Sequence, residues 1–167
     1  MIKDFEFFHG LVFARILHGM QCAVSFRSFG SISNASYVVN DTIGIYIKHS
    51  AKRMTPWRFT FMKEHQEEIE LLRANCQEVF LLLVCNDDGI VCLSYGELKQ
   101  LLDNQHAPIE RISATRHKRQ MYAVRGSNGE LNFKIGQNDF PGKIFAASVF
   151  SLRQKTARPR IASELLG

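Results

Sequence analysis

No stretch of this chain is apolar for long enough to cross a bilayer. Its longest run, VFLLLVC at 79–85, falls far short of the ~20 residues a spanning helix needs and reads instead as a buried strand. The four cysteines, Cys22, Cys76, Cys85 and Cys92, show no CxxC spacing, which argues against a zinc cluster and for reduced, mostly buried thiols. Proline is scarce, tryptophan occurs once, and no Pro-, Gly- or Ser-rich linker, repeat or low-complexity tract divides the chain. A Walker-type glycine loop, a dinucleotide fingerprint, a nucleophile elbow and an HExxH pair are all missing, and the six histidines are dispersed. Asp4 and Glu6 interrupt the N-terminal segment, which has no signal-peptide order, so a cytoplasmic location is expected.

What is present is an ordinary globular composition, 46% hydrophobic and 22% charged, over 167 residues, enough for one well-packed domain. The expected organisation is a domain over 1–150 followed by a basic tail over 151–167. Charge is uneven. From Arg111 onward eleven Lys/Arg face only Glu130, Asp139 and Glu164, while the first 110 residues carry a net negative charge. This asymmetry points to an anionic partner for the C-terminal part, or to a solvated, solubilising basic face.

The periodicity predicts a helix over 3–18, with Phe5, Phe8, Val12 and Ile16 on one face and Gly19 as its C-cap. Strands follow at 20–28, 35–39 and 43–50, the last two joined by a tight turn at Asn40 and Asp41. A helix over 62–74 is expected next. Met62, His65, Ile69 and Leu72 form its inner stripe, and Glu64, Glu67, Glu68 and Glu70 mostly face out. EVFLLLVC and IVCLSY read as paired strands across NDDG, then GELKQLLD as a short helix. RQMYAVRG and ELNFKIG form a hairpin around SNG, and IFAASVFSL is a final strand or helix. The fold class is α/β (α+β), a central mixed sheet with a C-terminal β-hairpin extension.

Helix, three strands, helix, strand, with a lysine near the end of the third strand, resembles the PD-(D/E)XK nuclease superfamily, the restriction-endonuclease-like fold. The likeness covers about the first half of the chain. It implies an acid on the second strand and an acid-x-Lys triplet on the third that together hold Mg²⁺, cleavage of DNA or descent from an enzyme that cleaved it, and a homodimer. Here the triplet reads Tyr46-Ile47-Lys48, and the second-strand position is Asn34 or Ser36. A turn centred on Asn40 and Asp41 sets Ser36 opposite Tyr46 and Asn34 opposite Lys48. Only Lys48 matches the family pattern. Mg²⁺ wants oxygen ligands including a carboxylate or two, which Asn34 and Tyr46 do not supply. Glu6 on the first helix, or a relocated acid among Glu64, Glu67 and Glu68, would have to stand in. The candidate catalytic group is therefore Lys48, Glu6, Asn34 and Tyr46, with Mg²⁺ as the implied cofactor.

GIYIKHSAKRMTPWRFTF, residues 44–61, then carries Lys48, His49, Lys52, Arg53 and Arg58 around Pro56 and Trp57. The cations suit phosphates, and Trp57 reads either as a platform for an unpaired base or as a core plug under the loop. A second basic run supplies Arg111, Arg116, Lys118, Arg119 and Arg125. Three functions remain open from sequence: a Mg²⁺-dependent nuclease, a nucleic-acid-binding domain that does not cut, and a protein-interaction or scaffold module. RQKTARPR in the tail adds four more cations, and if these two clusters and the 48–58 loop share a face, nucleic-acid binding becomes the default.

Overall fold

Strands rich in Val, Ile and Leu on both faces need cover on both sides, and the chain supplies it. The computed structural model describes residues 1–30 and 33–157. Its elements are α1 (Asp4–Gly19), β1 (Phe26–Ser28), β2 (Ser36–Val39), β3 (Ile43–Ser50), β4 (Trp57–Met62), α2 (Lys63–Asn75), β5 (Glu78–Cys85), β6 (Ile90–Ser94), α3 (Tyr95–Leu101), β7 (Ile109–Thr115), β8 (Ala123–Gly126) and α4 (Asp139–Ala157). The protein is a mixed α+β fold with two sheets. The larger, mixed sheet has the order β1-β2-β3-β5-β6; the smaller is antiparallel, β4-β7-β8. β3 and β5 run parallel across a crossover through β4 and α2, and the remaining neighbours are antiparallel.

Side-chain alternation along β3 and β5 divides the core in two. Ile43, Ile45, Ile47, Phe80, Leu82 and Val84 face α1 and α4, where Val12, Ile16 and Ile144 meet them. Tyr46, Leu81 and Leu83 face the other way, toward α2, α3 and the inner side of the small sheet. Gly44 is needed here, because a Cβ would lie 2.6 Å from Leu72 of α2. No helix among the described residues is long and apolar enough to cross a membrane.

Several expected elements are in place. β3 and β5 occupy the expected residues, and the β2–β3 turn has Asn40 and Asp41 at φ of 49° and 61°, the conformation a two-residue hairpin turn demands. Ser36 pairs with Tyr46, the register expected from that turn.

Other segments differ. Residues 20–25 are irregular, so the first strand begins only at Phe26. Trp57–Met62, expected to be loop running into helix, is a strand whose partner is β7. Beyond Ser127 the predicted hairpin arm is reduced to two isolated bridges, Arg125–Glu130 and Tyr122–Ile135. Residues 144–152 are helical, within an α4 that is non-helical at Phe140, where the following Pro141 favours extended backbone. The expected domain limit at 150 falls inside α4, and 158–167, including the basic Arg158 and Arg160, lie outside the described residues.

Candidate functional site

β2 starts at Ser36, opposite Tyr46, whereas β3 continues to Ser50. After the bond from Ile47 N–H to the Ala35 carbonyl (2.9 Å), the two chains part. Lys48, His49 and Ser50 keep β5 on one side and have no flanking strand on the other among the described residues. A cleft of about 280 Å³ opens there, lined by Phe5 and His9 of α1, Ser33, Asn34 and Ala35 before β2, Tyr46 to His49 of β3, and His65 of α2. Alternation sends Lys48 to the α2 side and His49 to the α1 side, so the cleft wraps around the strand edge.

Lys48 Nζ lies 3.1 Å from His65 Nδ1 and 5.2 Å above the Phe61 ring. His65 Nδ1 also accepts the Met62 N–H (3.1 Å), an N-terminal cap for α2. A nitrogen that accepts from the backbone carries no proton, so the neutral ring has its N–H at Nε2 and Lys48 is the donor. Burial lowers the Lys48 pKa to about 8, against an opposing pull from Glu68. Burial lowers His65 too, with Lys48 adding to the effect.

On the other side, His49 stacks on Phe8 at 4.5 Å, and His9 Nδ1 lies 2.7 Å from the Tyr37 hydroxyl. His49 is lowered by burial; His9, only 4% exposed, is lowered to about 4 by burial and then by His49. At neutral pH the cleft thus offers one ammonium among neutral imidazole donors and the Asn34 amide.

His9 makes a pH prediction. Between pH 6.5 and about 4 the unfolded chain binds a proton at this ring and the folded chain does not, so stability falls as pH drops through that window. We expect the wild type to lose roughly 1–2 kcal/mol more than His9→Gln between pH 6.5 and 4.5, after allowance for residual solvent contact. Urea unfolding at stepped pH measures it, and parallel curves would refute it.

Beneath Lys48 sits Glu68, 1% exposed, accepting Ser33 Oγ at 2.6 Å and Ser36 Oγ at 2.9 Å. Gly30 closes over it at φ 77°, where a Cβ would lie 3.3 Å from Oε1. The helix pattern set this acid among those mostly facing out, while the family resemblance nominated it with Glu64 and Glu67 as a relocated acid; it is on the inner face of α2, made tolerable by two hydroxyls and a nearby cation. Glu6, by contrast, is exposed and does not line the cleft: its carboxylate caps α1 by accepting the Lys3 N–H at 2.6 Å. Glu64 is exposed, and Glu67 pairs loosely with Lys63 at 3.8 Å. Tyr46 lines the cleft but is 1% exposed, and burial followed by the Glu68 charge pushes its phenol well above the ordinary range, so it stays neutral.

These donors do not fit Mg²⁺. The carboxylate near Lys48 has both oxygens engaged by hydroxyls, and Asn34 and neutral Tyr46 are poor substitutes. Among the described residues no three His, Cys, Asp or Glu side chains converge as a metal site.

The expected nucleic-acid contacts divide. Trp57 is a core plug, 2% exposed, its Nε1–H donating to the Lys52 carbonyl at 2.8 Å, so it has no face to offer a base. Arg116 is held by Asp88 through Nε (2.6 Å) and Nη2 (2.8 Å), which removes it as a phosphate ligand. Lys52, Arg53, Arg58, Lys118 and Arg119 are exposed. His9, with its place on the Val12–Ile16 stripe as the available signal, was missed from sequence. The chain matches no family model, no curated protein and no solved structure.

Proposed function

We propose that this chain is a nucleic-acid-binding protein on a nuclease-like sheet, and that the Lys48 cleft grips a backbone phosphate, with DNA as the favoured ligand. One observation carries the reading: a half-buried lysine, oriented by His65, faces a cleft at the parted end of β3 among neutral imidazoles. Desolvation strengthens each charge-assisted hydrogen bond an anion makes there. The order β1-β2-β3-β5-β6, with α1 on one face and α2 on the other, supports the resemblance to PD-(D/E)XK nucleases. The acid positions of that pattern hold Asn34 or Ser36 and Tyr46, and the donor set does not fit Mg²⁺, so the reading is grip without hydrolysis. A cytoplasmic location accords with the four free thiols.

The test is binding and cleavage of labelled duplex and single-stranded DNA with Mg²⁺, Mn²⁺ or EDTA, for wild type and Lys48→Ala. We expect salt-sensitive binding, weakened about tenfold in the variant, on the scale of a hydrogen bond to a charged group, and no cutting. Affinity should fall as pH rises past about 8, because the ammonium then loses its proton. No binding at low salt would overturn the proposal. Metal-dependent cutting that Lys48→Ala abolishes would replace it with a hydrolase.

A further inference from the structure

The small sheet has a second, outward face that the cleft does not use. Trp57, Phe59 and Phe61 of β4, Ile112 and Ala114 of β7 and Val124 of β8 point into the core. The alternate positions are exposed or nearly so: Arg58, Thr60 and Met62; Ile109, Arg111, Ser113 and Thr115; Ala123 and Arg125. Register sets Arg58, Ser113 and Arg125 side by side in one row across three strands, with Thr60 and Arg111 in the next. Arginines far apart in sequence therefore meet on one face.

We infer that this face docks the phosphate backbone of duplex DNA, a deepening that rests on the nucleic-acid reading above. Strands lie ~4.8 Å apart, so Arg58 and Arg125 stand about 10 Å from each other, a spread that suits successive phosphates of a polyanion better than one small anion. Among the outward strand positions no carboxylate appears. A neighbouring acid, Glu130, holds Arg125 in an exposed pair at 2.9 Å that a phosphate can displace at little cost. A trough of about 310 Å³ runs beside Arg125, with the Ser113 and Thr115 hydroxyls along it as further donors. At the Thr115 end the face continues into two loops joined by the Arg116 N–H to Thr55 Oγ1 bond (3.3 Å), which carry exposed Lys52, Arg53, Lys118 and Arg119. The outward strand positions hold no aromatic ring, so the face has nothing on which to stack unpaired bases, and this selects a duplex over a single strand.

The test compares wild type, Arg58→Ser/Arg111→Ser/Arg125→Ser, Lys48→Ala and, as a charge control across the main sheet, Arg15→Ser. Each is titrated with a 30-base-pair DNA duplex and a single strand of equal length over a salt series. The triple variant should keep the wild-type melting temperature, since its side chains are exposed. Its duplex log K against log salt should flatten by about 2–3, near 0.9 per lost phosphate contact, and its affinity at low salt should fall at least tenfold. Arg15→Ser should change neither by more than twofold. An unchanged slope in the triple variant, while Lys48→Ala still weakens binding, overturns this inference and leaves the Lys48 grip standing. An equal loss on single strands overturns the choice of duplex. No binding by wild type sinks both, and an acidic protein would then be the partner class for the arginine face.

Discussion

Trp57→Ala should cost about 3–5 kcal/mol of stability, the usual scale for emptying an aromatic site in a core. The indole belongs to the core cluster that holds Phe59 and Phe61 and meets Tyr122 at a steep angle, the ring centres 6.0 Å apart, and its N–H ties down the 51–56 loop through Lys52. Losing the ring opens a cavity and frees the loop together. Trp57→Phe should recover most of the loss and bind DNA within about twofold of wild type, since the ring faces no ligand. Guanidinium unfolding followed by DNA titration separates the two effects. A stable Trp57→Ala protein that fails to bind would restore the stacking role that the sequence alone left open.

Asp88→Ala should be nearly as damaging, about 3 kcal/mol. The carboxylate takes two bonds from Arg116 and one from the hydroxyl of fully buried Tyr122 at 2.6 Å. Arg116 also stacks over the Tyr122 ring, 4.9 Å from its centre. Without Asp88 a largely covered guanidinium, left with two backbone carbonyls, and a buried phenol both lose their carboxylate, and breaking one side of such an arrangement costs more than the arrangement contributes. These hydrogen bonds hold the Asp88 carboxyl below its usual range despite burial, so acid should progressively remove the same support as it protonates the group. Arg116→Ala should likewise lower stability, with DNA affinity of the folded fraction unchanged. Paired denaturation and binding curves check this, and a large affinity loss in a fully folded variant would return Arg116 to the ligand contacts.

Local pattern was enough for some elements and not for others. β3 and β5 announce themselves by continuous β-branched and aliphatic runs, and the hairpin register follows from Asn40 and Asp41 tolerating positive φ. WRFTFM alternates as cleanly as any strand, but the cations around it and the preceding Pro56 drew it toward a loop, and its partner lies far downstream. β7 hides its alternation because Glu110 faces inward, 3% exposed and bonded to Gln66 of α2. The candidate site was legible where it depended on strand position, which is why Lys48 was found. Glu68 was nominated only as one of three helix acids, and its burial one helical turn before Leu72 on the same face was not read, because a carboxylate is assigned to solvent unless its partners are known. Of those partners, Ser36 opens β2 and Ser33 lies just before it, and no local pattern shows that α2 packs against them. The sharing of one face by Arg58, Arg111 and Arg125 is equally a matter of long-range pairing.

The dependence of β4 on β7 also sets an order of events during synthesis. β4 leaves the ribosome with Trp57, Phe59 and Phe61 on one side and no strand to cover its edge until β7 has been made. For that interval the nascent chain displays an aromatic, unpaired strand, the kind of segment that chaperones hold and that other chains capture. Such late closure favours slow assembly of the small sheet relative to the β2–β3 hairpin, whose contacts are local. Chains released before Thr115 should therefore be the aggregation-prone species.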